Sequence, residues 1–381
     1  MSGRRLLAFF RRVTQEIRRD HRSVALLLVV PIVMTGLIAF IVREGDSPAV
    51  DALIVNDAGV PGVAVAGALD QELAESGGSA TIVADEAAAR TAIEDGSATI
   101  AIFLPAGLGT GQQVTVTVLT NGLDPFAEAS QAAAVQRAMI SAVEGALGIS
   151  LPTVEHTTLY GVPSDDPLAP FAPAALAFLA YFFVYILTGI SFLRERTGGT
   201  LERLMATPIT RGEVVLGYTL GFGFFATIQV GLLLLWSLGS VEVPALGPLP
   251  SFSVGLGIPI AGNALLAYLV VVLAALGAVS LGIFLSTFAR TELQVIQFIP
   301  IVIVPQFLLC GVLFPVSSLP EILQPFVWIM PLTYAVDGLR QVLVAGADLA
   351  TWAIQRDLLV LTGVALFFAL IAATTIRREV V

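Results

Sequence analysis

Six long apolar runs organise the sequence. An α-helix needs about 20 residues to cross a hydrocarbon layer ~30 Å thick, and each run is long enough to do so. The predicted spans are residues 24–42, 172–193, 214–238, 264–288, 295–314 and 358–376. The sequence therefore predicts an α-helical membrane protein with six transmembrane helices.

The segment between the first two runs, residues 43–171, follows a different pattern. Short β-branched stretches alternate there with stretches of helical periodicity, which is typical of an α/β domain. Predicted strands cover 52–55, 80–83, 99–104 and 114–118, and predicted helices cover 62–74, 85–94 and 124–146. We expect a small α/β domain over 43–171, inserted between spans 1 and 2.

Residues 1–23 combine an apolar stripe with many arginines. Leu6, Phe10, Val13 and Ile17 recur at helical spacing, and arginines occupy much of the remaining surface. This pattern is typical of an amphipathic helix that lies in the membrane interface with its basic face on anionic headgroups. The alternative is a disordered basic tail, and the apolar stripe weighs against it.

The composition is that of a membrane protein, since 56% of the residues are hydrophobic and 13% are charged. All 19 basic residues are arginines. Because the phosphate-binding loop G-x-x-x-x-G-K-[ST] requires a lysine, that ATP site is excluded and no cofactor is expected in this chain. The single cysteine, Cys310, lies in an apolar run, so we expect a packed thiol and no intrachain disulfide.

Arginine placement predicts the orientation. Arginine-rich short flanks stay on the cytoplasmic side, and arginines concentrate before span 1 and after spans 2, 4 and 6. We therefore expect a multi-pass protein of the plasma membrane with both termini in the cytoplasm and 43–171 outside it. His21 and His156 would then lie on opposite sides, so they cannot share a metal ion, and no metal site is predicted.

The chain has a net charge of −10, and its negative charge arises from the segment 43–171, which has many carboxylates and few arginines. A solvated acidic surface is the simpler explanation. Attraction of cationic solutes is the alternative.

The connection after span 2, residues 194–211, contains a short helical motif. Thr200 is the expected N-cap, Glu202 lies in the first turn, and Thr207-Pro208 ends the helix. Its apolar face consists of Leu201, Leu204 and Met205. This face would lie either on the membrane or in a groove of a cytoplasmic partner.

Two motifs resemble those of the membrane permeases of type-2 ATP-binding cassette exporters. Residues 194–208 are similar to the pattern R-E-x-G-T-L-E-x-L-x-x-T-P, which marks the coupling helix of that family. Residues 330–340, with Met330 in place of the usual Asn, resemble N-P-L-x-Y-x-x-D-x-L-R between the last two spans. The order of elements resembles the subset that carries a large extracytoplasmic domain between the first two spans.

The resemblance implies a five-span permease domain over 172–381, with the coupling helix at 194–211 and outer re-entrant helices at 315–345. It implies that the ATPase contact is formed by Thr200, Leu201, Glu202, Arg203, Leu204, Met205, Thr207 and Pro208. The outer-leaflet motif would consist of Pro331, Tyr334, Asp337 and Arg340. Because Asp337 and Arg340 share a helix face, a paired arrangement near the outer interface is expected, and a direct role in substrate release is the alternative.

The resemblance also implies partners. These are a cytoplasmic ATP-binding cassette ATPase, which carries ATP and Mg, and a second permease copy, either identical or paralogous. Membrane lipid is a further partner, and no nucleic acid is expected. Gly217 and Gly221 form a small-xxx-small pair that suits close helix packing, either within one chain or between two.

The predicted function is that of the membrane subunit of an ATP-driven exporter, which is not itself an enzyme. The spans have almost no charge at mid-membrane, which favours an external energy source and a hydrophobic or amphipathic cargo such as a lipid, a lipid-like molecule or a drug. The alternative is a membrane-anchored sensor or binding protein whose outer domain recognises a ligand without transport. A membrane enzyme is disfavoured, because no H-E-x-x-H or nucleophile motif occurs.

Overall fold

The computed structural model describes residues 3–44, 49–95, 97–109, 114–120, 125–148, 153–158, 168, 171–207, 209–243, 252–311, 316 and 319–375. The chain forms two compact units. The helical unit is Met1–Ile38 with Ala172–Val381, and the α/β unit is Ala39–Phe171.

Fourteen α-helices occur in the described ranges. They are α1 (Gly3–Arg19), α2 (His21–Glu44), α3 (Val60–Glu75), α4 (Glu86–Glu94), α5 (Pro125–Leu147), α6 (Ala172–Thr197), α7 (Thr200–Met205), α8 (Arg211–Leu238), α9 (Ala264–Ser286), α10 (Glu292–Phe298), α11 (Val304–Leu309), α12 (Gln324–Val327), α13 (Pro331–Leu343) and α14 (Trp352–Thr375). A π-helical segment, Ile299–Ile303, joins α10 to α11.

Six helical segments of the described chain are long and apolar enough to cross a membrane. They are α2, α6, α8, α9, the continuous segment α10–α11, and α14. The six predicted spans correspond to these segments. One boundary was wrong, because α14 begins at Trp352 rather than at 358 and takes Arg356 and Asp357 into its first turns. The predicted end of span 5 at 314 lies outside the described residues, and α11 ends at Leu309.

The amphipathic helix α1 is present, so the alternative of a disordered tail is wrong for Gly3–Arg19. Of the predicted apolar stripe, Val13 and Ile17 are buried and Leu6 and Phe10 are half-buried, and Phe9, which was not part of the prediction, is buried as well. Because this stripe packs within the helical unit, its residues are covered by protein rather than by lipid.

The centre of the helical unit is α9, which packs against α6, α8, α13 and α14. The closest approach is between α6 and α9 at Gly189 and Gly282. A Cβ atom on Gly282 would lie 3.0 Å from the carbonyl oxygen of Tyr185 and 3.3 Å from the backbone nitrogen of Gly189. Glycine is therefore required at this crossing, because any side chain would separate the two helices.

The α/β unit contains a five-stranded sheet. Its strands are β1 (Asp51–Asn56), β2 (Ser79–Val83), β3 (Ile100–Leu104), β4 (Thr115–Thr120) and β5 (Thr153–Thr158), in the spatial order β2-β1-β3-β4-β5. The pairs β1–β2, β1–β3 and β4–β5 are parallel, and β3–β4 is antiparallel. The four strands predicted from the sequence are confirmed. The fifth strand was missed because its sequence, TVEHTT, has one aliphatic residue.

Both faces of the central strands are covered, which explains their near-continuous apolar sequence. On one face α3 and α5 pack against β1, β3 and β4 around Ile54, Leu69 and Ile102. On the other face α4 contributes Ala89 and Ile93 to a smaller cluster. The N-terminus of α4 is capped by Asp85, whose carboxylate accepts a hydrogen bond from the backbone N–H of Ala88 at 2.8 Å.

A short hairpin, β6 (Val241–Val243) and β7 (Phe252–Val254), follows α8 in the helical unit. The hairpin was not predicted. Its connecting residues 244–251 lie outside the described residues.

The α6–α9 crossing generates a test. We expect Gly282→Val to lower the free energy of unfolding by about 1–3 kcal/mol, because the added side chain overlaps the backbone of α6. The matched control is Gly363→Val on α14, where a Cβ meets nothing within 4 Å. Denaturant titration in mixed micelles measures both, and equal losses in the two variants would contradict the glycine crossing.

Candidate functional site

The short helix α7 follows α6 through a sharp two-glycine turn. Gly199 is the N-cap residue with φ of 70°, in the left-handed region. The expected N-cap at Thr200 is therefore wrong by one residue, because glycine tolerates this backbone conformation and threonine does not. The backbone N–H of Gly198 donates to the carbonyl of Arg194 at 2.8 Å, which closes the end of α6. The turn thus connects α7 directly to the end of α6.

The two sides of α7 have different surroundings. Leu201 and Met205 are 2% and 5% exposed, and α7 packs against α6. The predicted apolar face is therefore turned toward its own chain at these two residues. The side open to solvent carries Glu202, Arg203, Ala206 and Thr207, with Leu204 half-buried. Pro208, the last residue of the predicted contact, lies outside the described residues.

Two arginines hold the end of α6 in place. Arg194 donates from Nε to the Glu292 carboxylate of α10 at 2.7 Å and lies 3.8 Å from the carboxylate of Asp20. Arg196 donates to two backbone carbonyl groups in the turn between α9 and α10. The turn that begins α7 is therefore connected to α10, to the α9–α10 turn and to the junction of α1 and α2. We call this region the α7 end of the helical unit.

Asp20 sits at the junction of α1 and α2. Its carboxylate accepts hydrogen bonds from the hydroxyl and the backbone N–H of Ser23, which cap the start of α2. These bonds hold the pKa of Asp20 below its usual value, and the charge of Arg194 acts in the same direction. The D-x-x-S spacing could have identified this cap from the sequence.

Helix α1 lies on α8 at the glycine pair. A Cβ on Gly217 would overlap the ring of Phe9, and a Cβ on Gly221 would overlap the side chain of Val13. The ring of Phe9 also packs edge-on against Tyr218, with centroids 5.0 Å apart. The two glycines therefore form a seat for α1 of the same chain.

A carboxyl pair joins α1 to α6. The guanidinium of Arg12 donates to Glu195 at 3.1 Å and lies 3.6 Å from Glu16. Glu195 is 8% exposed. The pKa of Glu16 is raised to about 7, by hydrogen bonding to Glu195, by burial and by the charge of Glu195, whereas the charge of Arg12 lowers it. None of these three residues was selected from the sequence, because the contact joins positions far apart in the chain.

The comparison with known families agrees with this geometry. The family described as "ABC-2 family transporter protein" matches residues 21–374, nearly the whole chain. This chain belongs to the ABC-2 transporter family. The resemblance drawn from the two motifs is thereby confirmed. The narrower assignment to the subset with a large extracytoplasmic domain stays a prediction.

Named relatives of this ABC-2 protein are transporter proteins. "ABC transporter G family member 20" of Dictyostelium discoideum is 28% identical over 225 residues, which are 58% of this chain and 28% of that protein. "Probable multidrug ABC transporter permease YbhR" of Escherichia coli is 28% identical over 191 residues, 50% of this chain and 48% of the relative. "Linearmycin resistance permease protein LnrN" of Bacillus subtilis is 25% identical over 226 residues, 58% and 52% of the two chains. The chain thus spans about half, or less, of the length of these relatives.

The second motif of this ABC-2 protein forms a charged cluster at the start of α14. Asp337 of α13 pairs with Arg356 at 2.5 Å, and Arg356 also contacts Asp357 at 2.7 Å. Arg340 donates instead to the carbonyl of Gly311. The expected pairing of Asp337 with Arg340 is therefore wrong. The span predicted at 358–376 does not include Arg356, so the partner of Asp337 was missed.

Two aromatic residues, one in the same motif and one just before it, complete the cluster. The guanidinium of Arg356 lies 5.3 Å from the ring centroid of Trp328 and 5.7 Å from that of Tyr334. The Tyr334 hydroxyl donates to the carbonyl of Trp328 at 2.7 Å. Pro331 lies in the first turn of α13, where its missing N–H is tolerated. The cluster therefore joins α13 to α14, and we call this region the α13 end.

Within the described residues, no group of three or more His, Cys, Asp and Glu side chains is arranged to hold a metal ion. His156 lies in β5, and its Nε2 is 3.2 Å from the Thr120 hydroxyl. Cys310 is buried, as expected for a packed thiol.

The seat of α1 generates a prediction in which a Gly→Ala change within a helix is disruptive, although alanine is the better helix former. Alanine favours helices over glycine by about 1 kcal/mol, yet we expect the double variant Gly217→Ala/Gly221→Ala to release α1, because both methyl groups overlap its side chains. A cysteine placed at Val13 should react with maleimide about tenfold faster in this background. The native Cys310 is buried and adds little signal.

The control for the α1 seat is Gly212→Ala, also on α8, where a Cβ meets nothing within 4 Å. We expect no change in the labelling rate of the cysteine at position 13. Equal labelling in the control and the double variant would contradict the seat.

The charged cluster at the α13 end generates another prediction. We expect Arg356→Ala to lower the free energy of unfolding by about 3 kcal/mol, because Asp357, which is 0% exposed, then loses its cation. Asp337→Asn should cost about 1 kcal/mol. The double variant Arg356→Met/Asp357→Leu should recover most of the loss. Unfolding titrations measure all three, and a double variant as unstable as Arg356→Ala would contradict the ion pair.

Proposed function

We propose that this chain is the membrane-spanning permease subunit of an ATP-driven exporter. It would bind a separate ATP-binding cassette ATPase, which carries ATP and Mg, and it would itself catalyse no reaction. The observation that carries the proposal is the geometry of α7, a short helix with a polar exposed side and a buried apolar side that is joined rigidly to α6. Family membership and the relatives named as permeases support the same function.

The proposal includes an orientation. We infer that the α7 end faces the cytoplasm, because the described part of this end carries Arg12, Arg194, Arg196, Arg203 and Arg211. Both termini would then be cytoplasmic and the protein would be a multi-pass protein of the plasma membrane. The α/β domain, assigned to 43–171, would lie outside the cytoplasm, and the permease domain would cover 172–381.

In this proposal the ATPase contacts the exposed side of α7. Glu202, Arg203 and Thr207 are accessible there, whereas Leu201 and Met205 support the helix from within. Thr200 and the half-buried Leu204 lie at the border between the two sides. A displacement of α7 would move the end of α6 directly, because the Gly198-Gly199 turn leaves no flexible linker between them.

The displacement would then reach the other spans through charged contacts. Arg194 connects α6 to α10, and Arg196 connects it to the α9–α10 turn. Since α9 packs against α6 at the glycine crossing, movement of α6 would be shared with the centre of the unit. A displacement at the α7 end would thus be accompanied by movement at the α13 end.

The cargo we propose is hydrophobic or amphipathic, such as a lipid, a lipid-like molecule or a drug. Buried polar side chains of the spans are mostly uncharged, among them Thr188, Gln229, Ser280 and Gln306. Uncharged side chains such as these offer no counter-charge to an ion at mid-membrane. The relatives named for multidrug transport and for linearmycin resistance support this choice.

The assembly we propose contains a second permease copy, identical or paralogous, with lipid around the spans. Large apolar side chains are exposed along α2, α8 and α14, for example Phe40, Leu235 and Leu370. These surfaces suit contact with lipid or with another copy. The alternative, a sensor without transport, would leave α7 without a function.

The ATPase contact can be tested at Glu202. We expect Glu202→Arg to reduce permease-stimulated ATP hydrolysis and transport about tenfold or more, because reversal of an exposed charge removes a charge-assisted contact worth about 1.5–3 kcal/mol. Its thermal midpoint should stay that of the wild type, since Glu202 is exposed. The measurement is ATP hydrolysis and cargo efflux in reconstituted vesicles.

Two further variants distinguish loss of the ATPase contact from loss of folding stability. Glu94→Arg, at an exposed position of α4, should change neither activity nor stability. Leu201→Asp should lower the thermal midpoint, because it places a carboxylate in a buried position. Normal hydrolysis and efflux in Glu202→Arg would count against the coupling function of α7.

A further inference from the structure

A cavity of about 150 Å³ lies at the α7 end, separate from the exposed side of α7. It is enclosed by α1, the start of α2, α6, the start of α7 and α8. The lining residues are Val13, Glu16, Ile17, Asp20, Ser23, Ser191, Arg194, Glu195, Thr200, Tyr218 and Phe222. Glu16 and Asp20, which are partly exposed, lie at its mouth, and the buried Tyr218 and Glu195 lie at its base.

The charge around this cavity is not balanced. Among the described residues, the cavity is lined by three carboxylates, those of Glu16, Asp20 and Glu195, and by one guanidinium group, that of Arg194. The Arg12 guanidinium, which is not among the lining residues, pairs with Glu16 and Glu195. The three carboxylates therefore outnumber these two cations. An anion would be repelled there, whereas a cation would be attracted.

The base of the cavity holds an unused hydrogen-bonding group. Tyr218 is 1% exposed, and its hydroxyl forms no hydrogen bond within the described part of the chain. The hydroxyl lies beside the Glu195 carboxylate. A buried polar group without a partner costs about 1–3 kcal/mol, so an occupant with an N–H group would relieve this cost.

The wall beside Tyr218 is aromatic. Its ring stacks with Phe222, with centroids 6.0 Å apart, and Phe192 packs against it edge-on at 5.0 Å. Electron-rich ring faces attract an ammonium or guanidinium group, and their apolar edges suit a short hydrocarbon body. A cavity of about this volume is known to hold a molecule of the size of benzene.

We propose that this cavity is a binding site for a small organic cation with an ammonium or guanidinium group. The charged group would share the Glu16 and Glu195 carboxylates with Arg12 and donate to the Tyr218 hydroxyl, and the hydrocarbon body would lie against Phe222. The occupant would contact α1, α6 and Thr200 of α7 at once, so it would stiffen the junction on which the proposed coupling depends. The site itself does not require that coupling.

Protons compete with the cation in this arrangement. The carboxyl of Glu16 faces Arg12 on its own helix, Asp20 at the α1–α2 junction, Arg194 and Glu195 on α6, and Tyr218 on α8. Its pKa is raised to about 7, chiefly by the hydrogen bond to Glu195. Below this pH Glu16 is protonated and loses its attraction for the cation. Binding should therefore be about tenfold weaker at pH 6 than at pH 8.

The test uses the full chain in phosphatidylcholine nanodiscs and two probes of similar shape. Isothermal titration calorimetry should show saturable binding of benzylammonium at pH 8 and at least tenfold weaker binding of benzyl alcohol, which lacks the charge. We expect Glu16→Gln and Tyr218→Phe each to weaken benzylammonium binding about tenfold. Glu94→Gln, on an exposed position of α4, should leave it unchanged.

The results of these measurements distinguish a cation site from its absence. Equal affinity for the charged and the neutral probe, or unchanged affinity in both site variants, would overturn the proposal. Glu16 is partly exposed and Tyr218→Phe keeps the ring, so both variants should fold; if one does not, the other variant and the pH series still decide.

Primary ammonium groups also occur on ethanolamine headgroups. Addition of phosphatidylethanolamine to the nanodiscs should weaken benzylammonium binding if the natural occupant is a lipid headgroup. Unchanged affinity would identify a soluble amine as the occupant.

Discussion

The contact between the ring of Phe9 and the bare backbone at Gly217 determines how the α7 end is built. Because no side chain projects from α8 at Gly217 or Gly221, α1 comes close enough for Phe9 and Val13 to lie directly on the backbone of α8. That approach brings Arg12 within reach of Glu195 and places Glu16 beside the same carboxylate. A basic N-terminal helix thus becomes a packed part of the helical unit instead of a peripheral anchor.

The same packing explains why α7 presents a polar surface. An isolated six-residue helix has too few hydrogen bonds to be stable alone, so it must be held by packing. Leu201 and Met205 serve this purpose by facing their own chain, which leaves Glu202 and Arg203 in solvent. Recognition by a partner would then rest on charge and hydrogen bonds, which favour specificity and rapid association over raw affinity.

The elements of the fold followed from local patterns, but the contacts of the site did not. Apolar run length located all six spans, and period-two and helical patterns located the main elements of the α/β unit. Strand β5 was missed because a mainly polar sequence at a sheet edge gives no periodic signal. Contacts such as Arg12 with Glu195 and Asp337 with Arg356 depend on how distant helices meet, and one sequence read by spacing does not reveal them. The sequence also did not reveal which surface covers the apolar face of α7. An apolar stripe indicates that a face is buried, but not what buries it.

The distribution of charge joins these observations into one argument. Ion pairs of the helical unit concentrate at the α7 end, around Glu195 and Glu292, and at the α13 end, around Arg356. Between them, the buried polar groups of the described residues are hydroxyls and amides, such as those of Tyr181 and Gln229. Charged contacts lose little when a helix tilts by a fraction of an ångström at a wet interface, whereas a buried mid-membrane charge would resist such movement at a cost of several kcal/mol. A chain that keeps its charges at its two ends would therefore resist relative movement of its spans less, which suits the proposal that a separate ATPase drives it.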